Sequence, residues 1–496
     1  MGTRNPSSAA HDAADVVIVG YGPVGATLAN LLGQAGLSTL VLEREDAAYH
    51  LPRAVHFDDE CMRVFETIGL AAVIEPTVHV SPGMRFIDAA GLPLLEWPRP
   101  RQRTPMGWHG SYRFHQPDLE RILRDALGRF DCVRTRTRVE ALAADEDAGG
   151  VTIRAEDLCT GQLERIRARY VVGCDGARSF IRRKIGETPD DLRFDERWLV
   201  VDVLLHRPKP ELGDWSVQYC NPARPATYVR GTGNRRRWEI ALRDGEDNAE
   251  MLRPEKVWAL LEPWLSPDEA ELERAACYRF QSIVARPWRL GRLLLAGDAA
   301  HQTPPFLGQG MCAGIRDAAN LAWKLERVLR GQDTPALLDS YETERAPHVR
   351  EYIALAVRLG GLINTKAMQA ALPDGSRPGE PVTMESIKPE LGPGLAAGWT
   401  GLPRQVVPQP ELADGRRLDA HIGYRYALLL RTGTPLEPAA ADRLHNRGVV
   451  VVQDAAPGLQ DWLSGNSVIA AAMRPDRYLL GAARDATELS ALVRQI

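Results

Sequence analysis

The sequence predicts an α/β protein: a Rossmann-like unit at the start, an inserted antiparallel sheet in the middle and a small α/β unit at the end. Three observations predict it. Two glycine-rich stretches, Gly20-Tyr-Gly-Pro-Val-Gly25 and Gly297-Asp-Ala-Ala-His301, each follow a short apolar run. Between them, alternating apolar and polar residues recur over 198–280, and beyond residue 412 apolar runs again alternate with helical text.

The first element is the apolar strand Val16-Val-Ile-Val19. Gly20 then allows a tight turn, Gly22 lets backbone amides approach a pyrophosphate, and Gly25 lets helix pack on strand. The Ala/Leu-rich stretch 26–35 is the helix, and Ser38-Thr-Leu-Val-Leu42 is a second strand ending at Glu43. That acid stands about 20 residues beyond the glycines, where an adenosine ribose expects one. Residues 58–70 have helical spacing through Cys61, Met62, Val64, Phe65 and Ile68, whereas 82–108 is Pro/Gly/Trp-rich and predicts short strands and loops. Gln116-Pro-Asp-Leu-Glu120 opens a helix with proline in its first turn.

Strands follow at 138–142, 151–154 and 166–172, the last running into Gly173-Cys-Asp175-Gly176 and another helix. Leu199-Val-Val-Asp-Val-Leu204, residues 215–220 and Trp238-Glu-Ile-Ala-Leu242 predict the inserted sheet. Arg292-Leu-Leu-Leu-Ala296 is a buried strand delivering Gly297-Asp298, and 310–330 is a helix. The expected division is a nucleotide-binding domain in three pieces (1–80, 110–190 and 285–365), a substrate-binding sheet (81–109 and 191–284), a Pro/Gly-rich linker (366–412) and a C-terminal unit (413–496).

A net charge of -4, with 44% hydrophobic and 25% charged residues, leaves no basic footprint for nucleic acid. The polar first stretch and the lack of a long apolar run predict a cytoplasmic protein without a membrane partner. Seven cysteines without a C-x-x-C pair predict neither a disulfide framework nor a metal site.

Taken together, the glycine loop, Asp175-Gly176, and Gly297-Asp298 followed by Gly308-Gln-Gly310 resemble the single-component, FAD-dependent aromatic hydroxylases, the class A flavin monooxygenases. Pro52-Arg53-Ala54, Phe57-Asp-Asp-Glu60, Arg316-Asp-Ala318, Asn320-Leu-Ala-Trp-Lys-Leu325 and Met473-Arg-Pro-Asp-Arg477 look like the 3-(3-hydroxyphenyl)propionate hydroxylase group within that class. The resemblance implies a glutathione-reductase-type FAD domain and a C-terminal thioredoxin-like domain, the latter without redox cysteines because none follows Cys312. It also implies that Gly20, Gly22 and Gly25 hold the pyrophosphate and Glu43 the adenosine ribose, with Arg44 beside it. Arg53 would reach the pyrophosphate side, and Gln116 and Asp298 the ribityl chain. Pro305, Gly308, Gly310, Met311 and Cys312 would line the flavin ring, their amides facing the pyrimidine end. Asp175 and Arg178 would tie the domain together and touch the nicotinamide cofactor, or form a structural salt bridge. Plainer readings stand beside these: a surface side chain for Arg53, a helix-start residue for Gln116, a helix cap for Asp298, and structural packing for His301.

The implied reaction is hydroxylation of a phenolic or related aromatic ring. NADH or NADPH reduces the flavin, oxygen forms a hydroperoxyflavin, and its outer oxygen passes to the ring. Such chemistry needs a dry pocket and a base or polarising group near the phenol. Tyr219, Tyr228 and His56 are the candidates, with His115 behind them, while Arg230 or Arg224 could pair with a substrate carboxylate. Thr303-Pro-Pro-Phe306 and Met311-Cys312 predict an apolar pocket mouth, which argues against a propionate side chain. The partners expected are a small aromatic substrate, oxygen and, for assembly, a second copy of the chain. Alternatives are another flavin reaction, halogenase- or saturase-like, or a non-catalytic flavin-binding protein; no two tryptophans stand two apart, as a flavin halogenase would have them.

Overall fold

A computed structural model describes residues 13–47, 53–186, 188–363, 382–396, 398, 402 and 404–496. Five short strands lie side by side and parallel, in the order Leu293–Leu295, Gln162–Gly173, Ala13–Val19, Thr39–Leu42 and Val133–Arg136. The apolar runs of the first four are buried, as expected of strands joined by helical crossovers rather than hairpins, while the edge strand Val133–Arg136 is only partly covered. Val139–Asp147 and Gly150–Asp157 add an antiparallel meander onto the strand Gln162–Gly173. The helix Pro23–Gln34 begins directly after the first strand, with proline at its first position, and packs against the long helix Gly310–Leu329.

The second sheet has nine strands, in the order His301–Gln302, Ala270–Val284, Asp190–Leu205, Arg235–Ala241, Ala226–Arg230, Ser216–Cys220, Gly83–Asp88, Pro93–Pro98 and Val382–Thr383. It is mixed rather than wholly antiparallel. Ser216–Cys220 runs parallel to Gly83–Asp88, and Val382–Thr383 parallel to Pro93–Pro98. These neighbours come from distant parts of the chain, so no hairpin forces them to alternate direction. Of the segment read as a linker over 366–412, residues 366–381, 397, 399–401 and 403 lie outside the described residues, and residues 382–383 form the sheet's edge strand.

The two faces of this sheet are chemically different because successive side chains alternate. On one face Leu199, Val201, Val203, Tyr228, Trp238 and Ile240 pack with Val257 and Leu261 of the helix Pro254–Leu261. Thr227, Val229 and Glu239, one residue out of step, look the other way into a pocket.

The last strands form a separate four-stranded sheet in the order Val450–Val452, Ala427–Leu430, Ala470–Met473 and Leu479–Ala483, its first pair parallel and the rest antiparallel. Buried charge fastens this unit to the remainder. Glu344 accepts from Lys324 at 2.6 Å and from Arg474 at 2.8 Å, and Asp419 accepts from Arg63 at 2.5 and 2.8 Å. No helix among the described residues is long and apolar enough to cross a membrane.

The glycine turn separates two uses of the same residue. A Cβ at Gly25 would lie 2.1 Å from the Gly20 carbonyl oxygen, whereas one at Gly22 would meet nothing within 4 Å. Gly25→Ala is therefore expected to cost about 1–3 kcal/mol in urea denaturation through overpacking, and Gly22→Ala to leave stability within about 0.5 kcal/mol of the parent.

Candidate functional site

Two helix N-termini are left open. At Pro23–Gln34 the capping position is Gly22, which has no side chain, and no acid occupies the first turn. At Gly310–Leu329 the cap, Gln309, makes no capping hydrogen bond, and again no acid is present. Its amide instead donates to Asp58 at 3.1 Å. Unsatisfied amides and the helix dipole make such termini receptive to anions and to developing negative charge. The turn Pro305–Leu307 and Gly308, with φ +62°, lead into the second helix.

Asp298 is exposed, yet the protein around it raises its pKa through burial, a rise that His301 opposes most. Arg53 is near enough to oppose that rise. Among the described residues the Asp298 carboxylate has no hydrogen-bond partner. Gln116 is buried, accepts from the backbone amides of Arg53 and Ala54 at 2.7 and 2.8 Å, and donates to Glu120 at 2.7 Å. Glu43 accepts from the amides of Tyr21 and Glu45 at 2.8 and 3.0 Å, while Arg44 is exposed and pairs with Glu45. Pro52 of the Pro-Arg-Ala motif lies outside the described residues.

Asp175 faces its own helix start: it accepts from Ser179 Oγ at 2.5 Å and from the amides of Phe180 and Ile181 at 2.6 and 3.2 Å. Its carboxylate is thereby occupied in capping the helix Phe180–Ile185, and Arg178 is exposed. His301 is fully buried, with Nε2 2.7 Å from Asp317, which also accepts from Arg345 and from the Gly297 amide.

The segment 56–60 is clamped to the long helix. Arg316 donates to Asp58 and Glu60 at 2.5 Å each, and to Gln309 at 3.1 Å. Burial alone would raise the Asp58 pKa, but Arg316 holds it well below the usual carboxylate range. Asp58, Cys61 and Cys312 bring donor atoms within 4.8 Å of one another, yet Asp58 is taken by Arg316 and burial pushes the Cys61 thiol up. The trio reads as packing around this ion pair. Cys312 turns its sulfur inward, 3.8 Å from the His56 carbonyl, so only its backbone is available to the cleft.

A pocket open to solvent lies beside the Pro305–Gly308 turn. His56, Trp97, Arg99, Arg113, Thr227 and Glu239 are among its lining residues. His56 Nδ1 lies 3.3 Å from the Gly308 carbonyl, which places the ring proton on Nδ1 and leaves Nε2 as the acceptor. Burial, reinforced by Arg113, pushes His56 down to about 3, so it is neutral at pH 7. Burial raises Glu239, with Arg237 opposing the rise.

Tyr219 and Tyr228 do not reach this pocket. Tyr228 packs on Trp238 and donates to the Gly213 carbonyl at 3.3 Å, and Tyr219 packs on Trp264, both on the opposite sheet face. The pocket-facing residues are their neighbours in the alternation, such as Thr227 and Val229. Arg224 is held by Glu246 at 2.6 and 3.1 Å, and Arg230 by Asp214 and nearby carbonyls, so neither supplies a cation to the pocket. His115 pairs with Asp118 at 3.0 Å outside it. Arg99 and Arg113, which sequence reasoning passed over, supply the charge. They come from the non-periodic stretch before residue 116, where the only signal is an arginine near tryptophan and aromatic residues.

Residues 13–356 match the family model described as FAD binding domain, and 398–496 that described as HcaD C-terminal domain. The chain is 36% identical to the "Probable NADH-specific resorcinol 4-hydroxylase" of Rhodococcus jostii (strain RHA1), over 99% of this chain and 96% of the relative. It is 33% identical to the "3-(3-hydroxy-phenyl)propionate/3-hydroxycinnamic acid hydroxylase" of Mycobacterium avium (strain 104), over 98% and 92%. In fold it is similar to the flavin-dependent monooxygenase PieE in complex with FAD and substrate, with TM-score 0.80, 24% identity and coverage of 97% and 98%. Aklavinone-11 hydroxylase in a ternary complex gives TM-score 0.78 at 22% identity over 97% and 98%.

Two outcomes check this geometry. Tyr228→Phe removes one hydrogen bond on the far face, costs about 1 kcal/mol and leaves ligand affinity of the pocket unchanged in titration. For His56 the unfolded chain takes up a proton near the ordinary pKa of 6.5 that the folded chain refuses until about 3. Its contribution to stability is thus full above that ordinary value and declines as pH falls through the window, by about 2 kcal/mol at pH 5. Urea denaturation of His56→Asn should lose this part of the pH dependence.

Proposed function

Because the chain belongs to the FAD-binding domain family, and within it to the flavin-dependent aromatic hydroxylases, we propose that it is an NAD(P)H-consuming monooxygenase that hydroxylates a phenolic or related aromatic ring. The observation that carries the reading is the adjacency of an open helix end and a pocket: the turn Pro305–Leu307 and Gly308 separate the uncapped helix Gly310–Leu329 from the pocket holding His56. A cofactor laid along the open helix ends would present its ring edge to that pocket.

The residues present fit FAD. The N-terminus at Gly22 offers unobstructed amides for a pyrophosphate, with Gly20 and Gly25 shaping the turn. Glu43 keeps carboxylate lone pairs for ribose hydroxyls, with Arg44 beside it. Arg53, backed by Gln116, would serve the pyrophosphate side, and Asp298 would accept from the ribityl chain. Amides at Gly310, Met311 and Cys312 would meet the pyrimidine end, with Pro305 and Gly308 as further residues for the ring. Bound FAD supplies the electron transfer and oxygen activation. The chain's own part is to exclude water with Trp97, Met84 and Phe306, and to hold the ring hydroxyl at a neutral acceptor, His56 Nε2. Asp175 acts on the cofactor only through the helix it caps.

The relative named as NADH-specific favours NADH as reductant. The C-terminal strand order, with one parallel and two antiparallel neighbours, supports a thioredoxin-like reading, and the lack of any cysteine after Cys312 leaves it without dithiol chemistry.

The test is a visible spectrum of the purified protein followed by NADH and NADPH oxidation, oxygen uptake and product mass across a panel of phenols. Flavin absorbance, and reductant oxidation accelerated by one aromatic compound that gains one oxygen, are expected. A bound flavin that no aromatic compound stimulates contradicts hydroxylation. Asp298→Ala should fold with unchanged far-ultraviolet circular dichroism yet retain FAD about tenfold more weakly.

A further inference from the structure

The pocket is apolar on one side and cationic on the other. Arg113 is buried, donates Nη2 to Ser216 Oγ at 2.9 Å, and leaves Nε without a partner among the described residues. Arg99 lies over the Trp97 ring at 3.9 Å and leaves Nη1 buried and unpartnered, as is Ser81 Oγ. Ser81, Trp97, Arg99 and Arg113 line the pocket. Burial lowers both arginines to about 10, and each remains charged at pH 7.

Facing them the pocket holds one carboxylate, Glu239. That acid is shared with Arg237, 3.9 Å away, and Arg237 and Arg274 already divide Asp202 between them. Arg99 is also within reach of Asp58, which Arg316 already holds, and of Asp59, whose pKa burial raises, so the charge of Arg99 and Arg113 is only partly balanced. Buried guanidinium N–H groups left unpaired are costly, and water, an ion or a ligand completes them; those of Arg99 and Arg113 belong to residues that line a pocket. Guanidinium forks suit an oxygen anion better than a neutral hydroxyl.

We infer that Arg99 and Arg113, assisted by Ser81, form an anion-recognising end of the pocket, and that the aromatic ligand presents an oxygen anion to them. This rests on the reading of the pocket as the ring's site and deepens it: the two arginines set specificity for a ring bearing a carboxylate, or for a phenol held as its phenolate. It replaces the apolar picture drawn from 303–312, since the cations come from 99 and 113.

The test titrates the FAD-loaded protein with a hydroxyphenyl carboxylate, its uncharged primary amide and resorcinol, reading the perturbation of flavin absorbance. If the anion is a carboxylate, the acid should bind about tenfold or more tightly than its amide. If it is a phenolate, bound resorcinol should show phenolate ultraviolet absorbance at pH values where free resorcinol does not. Either preference should vanish in Arg99→Gln and Arg113→Gln, whose folding is checked by retained flavin. The acid and amide comparison needs no variant, so a misfolded variant cannot hide the result. Equal binding of acid, amide and neutral phenol, with reductant oxidation still stimulated, overturns this inference and leaves the hydroxylase reading standing. No perturbation by any aromatic ligand and no stimulated oxidation overturn both.

Discussion

Val24 is the side chain on which the architecture turns. A Cβ at Gly297 would come within 2.9 Å of its Cγ2, and one at Gly314 within 2.5 Å of the same atom. Only glycine fits at either place without moving the helix Pro23–Gln34 away from its partners. Three segments distant in sequence are thereby pressed together: the first helix, the Gly297-Asp298 turn and the long helix. Their open N-termini and the Asp298 carboxylate consequently share one region of the molecule, an arrangement that none of the segments could produce alone.

Buried charge then fixes what lies next to this junction. Arg316 ties Asp58 and Glu60 to the long helix, and the strand His56–Phe57 precedes them directly, so His56 is delivered to the pocket by the same clamp. Glu60 also accepts from Tyr478 of the C-terminal unit at 2.8 Å, which extends the network across the interface. Removing one member of such a network leaves an unpaired buried charge, so the network holds position firmly even where its net contribution to stability is small. The C-terminal unit thus meets the segment that carries His56 through Tyr478, and Arg474 adds a second buried contact, to Glu344.

Much of the fold was legible because its signals are local. The strand, glycine turn and helix at 13–34 follow from an apolar run, three glycines and an Ala/Leu pattern, and the helix Gln116–Asp125 from its leading proline. The pocket was legible only in part. His56 stood near a motif, but Tyr228 was chosen from a strand whose alternation reveals two faces without saying which is dry core. Arg99 and Arg113 carry no periodic signal, and their meeting with Glu239 depends on a sheet assembled from distant strands. The parallel pairing of Gly83–Asp88 with Ser216–Cys220 is likewise a long-range fact that no turn residue announces.

Close packing around Val24 brings the first helix, the Gly297-Asp298 turn and the long helix together, and the flavin site proposed there meets a cationic pocket at the Pro305–Gly308 turn. A crystal structure of the protein with FAD and an aromatic ligand tests it most directly. The pyrophosphate is expected over the amides after Gly22, the ribityl chain within hydrogen-bonding distance of Asp298, and the ligand's oxygen anion on Arg99 and Arg113. A flavin whose pyrophosphate lies away from the first helix, or a ligand bound on the Tyr219 and Tyr228 face, contradicts it.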